Sequence, residues 1–208
     1  MTAPEYLVDG AADAPLTVIL AHGAGAAMDT PFMEFFAKGF GEAGYRCARF
    51  EFPYMAKRRT EGKRPGPDSQ AKLLAAWREA IAGVGAAKTV IGGKSMGGRM
   101  ASMVADEEGV AGLVCLGYPF HPPGRPERLR TEHLLRMQTP ALLLQGTRDP
   151  FGGRDKVAGY GLPANITVHW LEDGDHDLRP RKASGRTGPQ NWTEALEEAV
   201  AFLGILNT

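Results

Sequence analysis

Short, largely apolar runs alternate along this chain with longer stretches in which apolar residues recur every three or four positions. The runs at 16–21, 46–52, 89–91, 112–116, 141–144 and 166–171 are too short for helices. They have the pattern of strands buried on both faces of a parallel sheet. Between them lie helix signatures. Thr30-Pro31 reads as an N-cap followed by proline at the first helical position, with Phe32, Phe35, Phe36 and Phe40 at helical spacing behind it. Asp68 is positioned to cap a second helix carrying Leu73, Leu74, Trp77 and Ile81 on one face. Met96, Met100, Met103 and Val104 mark a third. Asn191 and Glu194 resemble a capping box in front of the stripe Trp192, Leu196, Val200 and Leu203.

Strand and helix alternating in this way give an α/β fold with a parallel sheet and helices on both faces. The expectation is one domain over residues 1–208, with about six mostly parallel strands. In such sheets ligands bind beyond the carboxyl ends of the strands, so the residues that follow each strand carry the functional information.

Composition narrows the field. The chain has 24 basic and 24 acidic residues among 208, for a net charge of zero. That disfavours a globally basic nucleic-acid binder. Cys47 and Cys115 sit in apolar runs with no disulfide framework and no Cys-x-x-Cys spacing, so they read as buried thiols and no metal site is expected. No signal-peptide pattern and no run of eighteen apolar residues is found; a cytoplasmic protein with no membrane partner is expected.

The run at 89–91 leads into Gly92-Gly93-Lys94-Ser95-Met96-Gly97-Gly98-Arg99. Residues 93–97 match G-x-S-x-G, with a strand before and a helix after. A serine on a sharp strand-to-helix turn has close neighbours, so small residues are needed two before and two after it. A phosphate-loop reading fails because Lys88 stands where the first glycine is required. Gly23-Ala24-Gly25-Ala26-Ala27-Met28 begins like a dinucleotide fingerprint, but Met28 takes the place of its third glycine. The loop reads better as an oxyanion loop, with the amides of Ala24 and Met96 as the donors.

A serine nucleophile needs a base, and the base needs an acid to orient it. Asp149 follows the run at 141–144 and His176 follows the run at 166–171. The order Ser95, Asp149, His176 is serine, acid, histidine, the order that accompanies this elbow. Other candidates fit less well. His169 lies within a strand, and His22 belongs to the glycine loop with a structural role. His121 and His133 lie in the connection at 120–140, solvated or facing substrate. Asp173 and Asp175 stand too close in sequence to His176 to brace its ring, and Asp155 lies down the next helix.

With these motifs in place the sequence resembles the α/β-hydrolase superfamily, and within it the small, nearly capless KANL3/Tex30 type, close to dienelactone-hydrolase-like proteins. The likeness rests on His22-Gly23-Ala24-Gly25-Ala26, Phe52-Pro53-Tyr54-Met55, residues 92–99, Gly117-Tyr118-Pro119-Phe120-His121-Pro122-Pro123, Gly146-Thr147-Arg148-Asp149-Pro150-Phe151-Gly152 and Asp173-Gly174-Asp175-His176. The resemblance implies a serine-hydrolase fold and a triad of Ser95, Asp149 and His176. Dienelactone hydrolases use a cysteine nucleophile where this elbow has Ser95. The first strands of the larger fold are mostly missing here.

The expected activity is cofactor-independent hydrolysis of small esters or thioesters through an acyl-enzyme. A non-catalytic interaction scaffold and an acyltransferase or lyase on the same fold are the alternatives. Larger lids in this superfamily are inserted at 120–140, where this chain has room for a proline-rich turn and one helix near 127–137, so a minimal cap and an open site are expected. Twelve basic residues stand in three segments after strands: Lys57, Arg58, Arg59, Lys63 and Arg64; Arg125, Arg128 and Arg130; Arg179, Arg181, Lys182 and Arg186. They are either solvated loops or a rim that attracts an anionic substrate. Tyr54, Arg58, Arg59, Phe120 and His121 are the substrate-binding candidates.

Overall fold

The computed structural model describes residues 4–62 and 65–207. Its elements run β1 (Tyr6–Asp9), β2 (Thr17–Ala21), α1 (Pro31–Glu42), β3 (Arg46–Phe50), α2 (Pro53–Glu61), α3 (Gln70–Ala82), β4 (Thr89–Lys94), α4 (Met96–Ser102), α5 (Ala105–Glu108), β5 (Gly112–Leu116), β6 (Ala141–Gly146), α6 (Arg154–Val157), β7 (Ile166–Leu171) and α7 (Gly188–Leu206). The strands form one sheet in the order β1-β3-β2-β4-β5-β6-β7. Six strands are parallel and β1 pairs antiparallel to β3 at the edge.

Alternation along the strands builds two cores. Val18, Leu20, Val90, Val114, Leu116, Leu142 and Leu144 point to one face, covered by Phe32, Phe36 and Phe40 of α1 and Ala195, Ala199 and Leu203 of α7. Ile19, Ala21, Phe50, Ile91, Leu113, Cys115 and Leu143 point to the other, covered by Leu73, Trp77 and Ile81 of α3 and Met100 of α4. Because both faces are dry, the central strands are apolar throughout rather than alternating.

The six parallel strands are as expected, with one addition at the edge: β1 is short and half exposed, so it lacks the apolar signature, and it is anchored by Arg49 Nη2 donating to Asp9 Oδ2 at 2.9 Å. Four local expectations are corrected. Of the basic segment after β3, Lys57, Arg58 and Arg59 lie not in a loop but on helix α2, started by Pro53 and stopped by Gly62 at φ 64°. Asp68 does not cap α3; Ser69 holds that position, and the Asp68 carboxylate accepts from the Tyr54 amide at 2.8 Å. The capping box of α7 is Thr187 with Gln190, one turn earlier than expected. The helix expected near 127–137 is a single 3-10 turn, Leu134–Arg136, because Leu134 and Met137 are drawn into the core and fix an irregular path.

The chain leaves β2 for β3 on one side and returns for β4 on the other. The carboxyl ends of β2 and β4 therefore flank the topological switch point, where an open α/β sheet has its crevice. No described helix is long and apolar enough to cross a membrane.

Candidate active site

Ser95 stands between β4 and α4 with φ 50° and ψ −113°. A non-glycine residue with positive φ costs of order 1–3 kcal/mol and persists only where its surroundings force it. Both flanking glycines of the motif are explained by one neighbour, the carbonyl of Ala21 on β2. A Cβ at Gly93 would lie 2.0 Å from that oxygen, and one at Gly97 would lie 2.3 Å from it. From α3, Trp77 Nε1 donates to Gly97 O at 3.2 Å and pins the elbow from the far side.

The serine hydroxyl lies 2.8 Å from His176 Nε2. His176 Nδ1 lies 2.8 Å from Asp149 Oδ2. A carboxylate at Nδ1 puts the ring proton on that nitrogen and leaves Nε2 free to accept. The Ser95 hydroxyl has no other acceptor among the described residues, so its proton points at the histidine. Asp149 has a side chain with no exposed surface. Its Oδ1 accepts from the Phe151 amide at 2.8 Å and its Oδ2 also accepts from Gln145 Nε2 at 2.9 Å. The Phe151 ring lies against the imidazole with centroids 4.2 Å apart.

Two supporting residues were not legible in the sequence. Gln145 is fully buried and uses its whole amide: Nε2 also bonds the carbonyls of Tyr118 and Gly152, and Oε1 accepts from the Tyr118 amide at 2.7 Å. Lys94, the variable position before the serine, donates to the His176 carbonyl and lies 3.3 Å from Asp177 Oδ1. It ties the histidine loop to the elbow. Burial lowers its pKa below the usual lysine value, while Asp177 and then Asp149 oppose that shift. The histidine loop is further clamped by Asp173, which accepts from Arg181 Nη2 at 2.5 Å and lies 2.8 Å from Arg148 Nε. The side-chain and backbone hydrogen bonds from Arg181, then the charge of Arg148, keep the Asp173 carboxyl down at about 2.

The glycine-rich loop after β2 brings Ala24 into the pocket that contains Ser95 and Met96. As the first residue of α4, Met96 has an amide with no intrahelical acceptor. His22 is buried beneath the loop. Its Nδ1–H donates to Gly23 O at 2.7 Å and its Nε2 accepts from the Phe52 amide at 3.1 Å. Burial lowers its pKa, so it stays neutral and structural.

The substrate-binding candidates are not gathered at the serine. Tyr54 is buried and its hydroxyl donates to the carbonyls of Ala24, at 3.0 Å, and Gly23. It holds the loop rather than lining the pocket. Burial pushes its phenol up to about 12, so it is a neutral donor. Arg58 donates to Pro65 O, and Arg59 pairs with Glu51 and Asp29 at 2.7 Å each. Phe120 is core, packed on Tyr118 and Tyr160. His121 is 1% exposed, with Nδ1 on Pro122 O. Lys63 and Arg64 lie outside the described residues. The pocket around Ser95 has a volume of about 350 Å³ and takes its other walls from Pro67, Asp68, Gln70, Leu73, Arg99, Met100, Pro119, Arg130 and Phe151.

A family model described as an alpha/beta hydrolase domain matches residues 14–204. Solved structures are similar over almost the whole chain. An esterase domain from Rhodothermus marinus is 16% identical with a TM-score of 0.68, covering 95% of this chain and 90% of its own. A serine hydrolase without lid from Xanthomonas campestris is 20% identical with a TM-score of 0.66, covering 97% and 95%. A monoacylglycerol lipase from Paleococcus ferrophilus is 15% identical with a TM-score of 0.69, covering 96% and 99%.

Proposed function

We propose that this chain, which belongs to the α/β-hydrolase family, is a serine hydrolase that cleaves small carboxylic esters or thioesters through a Ser95-His176-Asp149 triad. The observation that carries this reading is the unbroken run of hydrogen bonds from Ser95 Oγ to His176 at 2.8 Å and from His176 to the buried Asp149 at 2.8 Å. It begins at a serine held at φ 50°. Such strain has no use in a purely structural scaffold.

In this mechanism Ser95 Oγ attacks the substrate carbonyl carbon as His176 Nε2 takes the hydroxyl proton. Asp149 holds the tautomer and stabilises the imidazolium. The carbonyl oxygen becomes an oxyanion that accepts from the amides of Ala24 and Met96, each worth about 3 kcal/mol in sites of this kind. Collapse of the intermediate breaks the bond to the alcohol or thiol, which leaves with the proton from His176. Water then repeats the sequence on the acyl-enzyme, giving the acid and restoring Ser95.

A fluorophosphonate probe tests the nucleophile directly. The wild type is expected to be labelled and Ser95→Ala is not. Equal labelling of both proteins removes Ser95 from this role. Turnover of short acyl nitrophenyl esters by the wild type, lost in Ser95→Ala, tests the reaction class in the same preparation.

A further inference from the structure

Most arginines around the crevice are spoken for. Arg58 is held by a carbonyl, Arg59 by Glu51 and Asp29, and Arg181 by Asp173. Arg99 and Arg130, which line the pocket that holds Ser95, are different. Among the described residues neither guanidinium has an ion pair or a side-chain hydrogen bond, and the buried Nε of Arg99 has no partner at all. The two are close enough for Arg130 to add to the burial that lowers the Arg99 pKa. The pocket's one acid, Asp68, is engaged by the Tyr54 amide at 2.8 Å and lies 3.9 Å from Lys72. Two neighbouring cations share a partly desolvated wall without a counter-charge. That arrangement repels itself until an anion enters, and a planar carboxylate matches the guanidinium fork.

We infer that Arg99 and Arg130 form a carboxylate-binding subsite of the Ser95 pocket, so that the preferred substrates are short esters or thioesters carrying a second, anionic carboxylate. This rests on the hydrolase reading above and names its substrate class. The pocket limits the size. Ser95, Arg99 and Arg130 line the same pocket of about 350 Å³. The carboxylate and the scissile carbonyl must fit in it together, as in a monoester of a short dicarboxylic acid.

The test compares kcat/KM for para-nitrophenyl hydrogen glutarate with that for para-nitrophenyl butyrate. A second arm compares meta-carboxyphenyl acetate with phenyl acetate, so that the two arms tell whether the acyl or the leaving side carries the anion. In the wild type one anionic ester is expected to exceed its neutral partner by about ten- to a hundredfold, the range of a hydrogen bond to a charged group. The ratio is expected to fall towards one in Arg99→Met and in Arg130→Gln. The second variant lies in an irregular connection and keeps the test open if the helix change impairs folding. Calorimetric titration with glutarate reads the subsite apart from turnover: binding to the wild type that is weakened in Arg130→Gln supports it. Turnover of neutral esters without an anionic preference, or a preference untouched by both variants, overturns the subsite and leaves the hydrolase reading standing. No turnover of any ester with glutarate still bound overturns the hydrolase reading and retains the subsite; absence of glutarate binding overturns the subsite.

Discussion

The described residues include two serine–histidine pairs with the same separation, and the proposed mechanism uses only one of them. Ser95 Oγ lies 2.8 Å from His176 Nε2, and Ser102 Oγ lies 2.8 Å from His133 Nε2. The difference is where the protons go. Ser102 lies inside α4, 4% exposed, and donates to the Arg99 carbonyl at 2.8 Å. The Tyr118 hydroxyl beside it donates to Arg130 O at 3.0 Å. With a carbonyl in reach of each hydroxyl, the Ser102 proton is shared between the Arg99 carbonyl and His133 and is not aimed at the ring alone. No carboxylate is hydrogen-bonded to its ring among the described residues, and the cation Arg99 lies nearby. Burial first, then that cation, pulls the His133 pKa down to about 4. At Ser95 the hydroxyl has no competing acceptor, the backbone is strained towards the pocket, and Asp149 fixes the tautomer. Distance alone therefore does not identify a nucleophile; a third group, an uncommitted proton and access do.

Removing the third group should erase the contrast most completely. Asp149→Asn is expected to lower kcat by about a thousand- to ten-thousandfold, because the carboxamide leaves Nδ1–H without its charged acceptor. Ser102→Ala should change kcat by less than about threefold, since it touches neither substrate nor His176. Steady-state rates on one nitrophenyl ester measure both. A large loss in Ser102→Ala, with Asp149→Asn active, would invert the assignment of the two pairs.

Gln145→Leu probes what holds Asp149. It leaves the Tyr118 amide without its acceptor in a buried setting and removes a donor from Asp149 Oδ2. The expected cost is about 2–4 kcal/mol in urea unfolding, with a fall in kcat larger than any change in KM. An unfolding midpoint equal to that of the wild type would show that the buried amide is dispensable. Tyr54→Phe is milder. It removes the hydroxyl that fixes the carbonyls of Gly23 and Ala24, worth about 1 kcal/mol, so kcat should drop roughly fivefold if the Ala24 amide serves the oxyanion.

The Ser95 side of this contrast was legible in the sequence; the other was not, since His133, expected to be solvated or facing substrate, is half-buried against Ser102. The central strands carried their boundaries because dry, two-faced strands must be apolar, and 112–116 coincides with β5; 166–171 coincides with β7 although that edge strand is only partly buried. The order Ser95, Asp149, His176 could be written down because each follows a strand. What stayed hidden depends on contacts between distant segments. Gln145 looks like any loop residue until Tyr118 and Gly152 close around it. Lys94 looks like an exposed variable position until the carbonyl of His176 arrives 82 residues later. The basic clusters suggested a rim, yet Arg58 and Arg59 are engaged within the protein, while Arg99, read only as part of a helix start, lines the pocket unpaired. Charge counts cannot distinguish paired from unpaired cations.

The smallest expected effect concerns the Ser102–His133 pair and appears only as pH falls. His133 titrates at about 4 in the folded protein and at roughly 6.5 in an unfolded chain. Between those values the unfolded state binds the extra proton and the folded state does not. Stability contributed by the neutral ring is therefore complete above about pH 6.5 and is lost as pH drops towards 4. Part of the ring is exposed, so solvent screening reduces the effect below what the full shift would give. In thermal unfolding the wild type should lose a few degrees across this window. His133→Gln retains a donor towards Ser102 but has nothing to titrate, so its melting temperature should fall less over the same range, even if it begins lower. Parallel curves for the two proteins would show that His133 is charged without penalty and that the depressed pKa does not govern the acid limb.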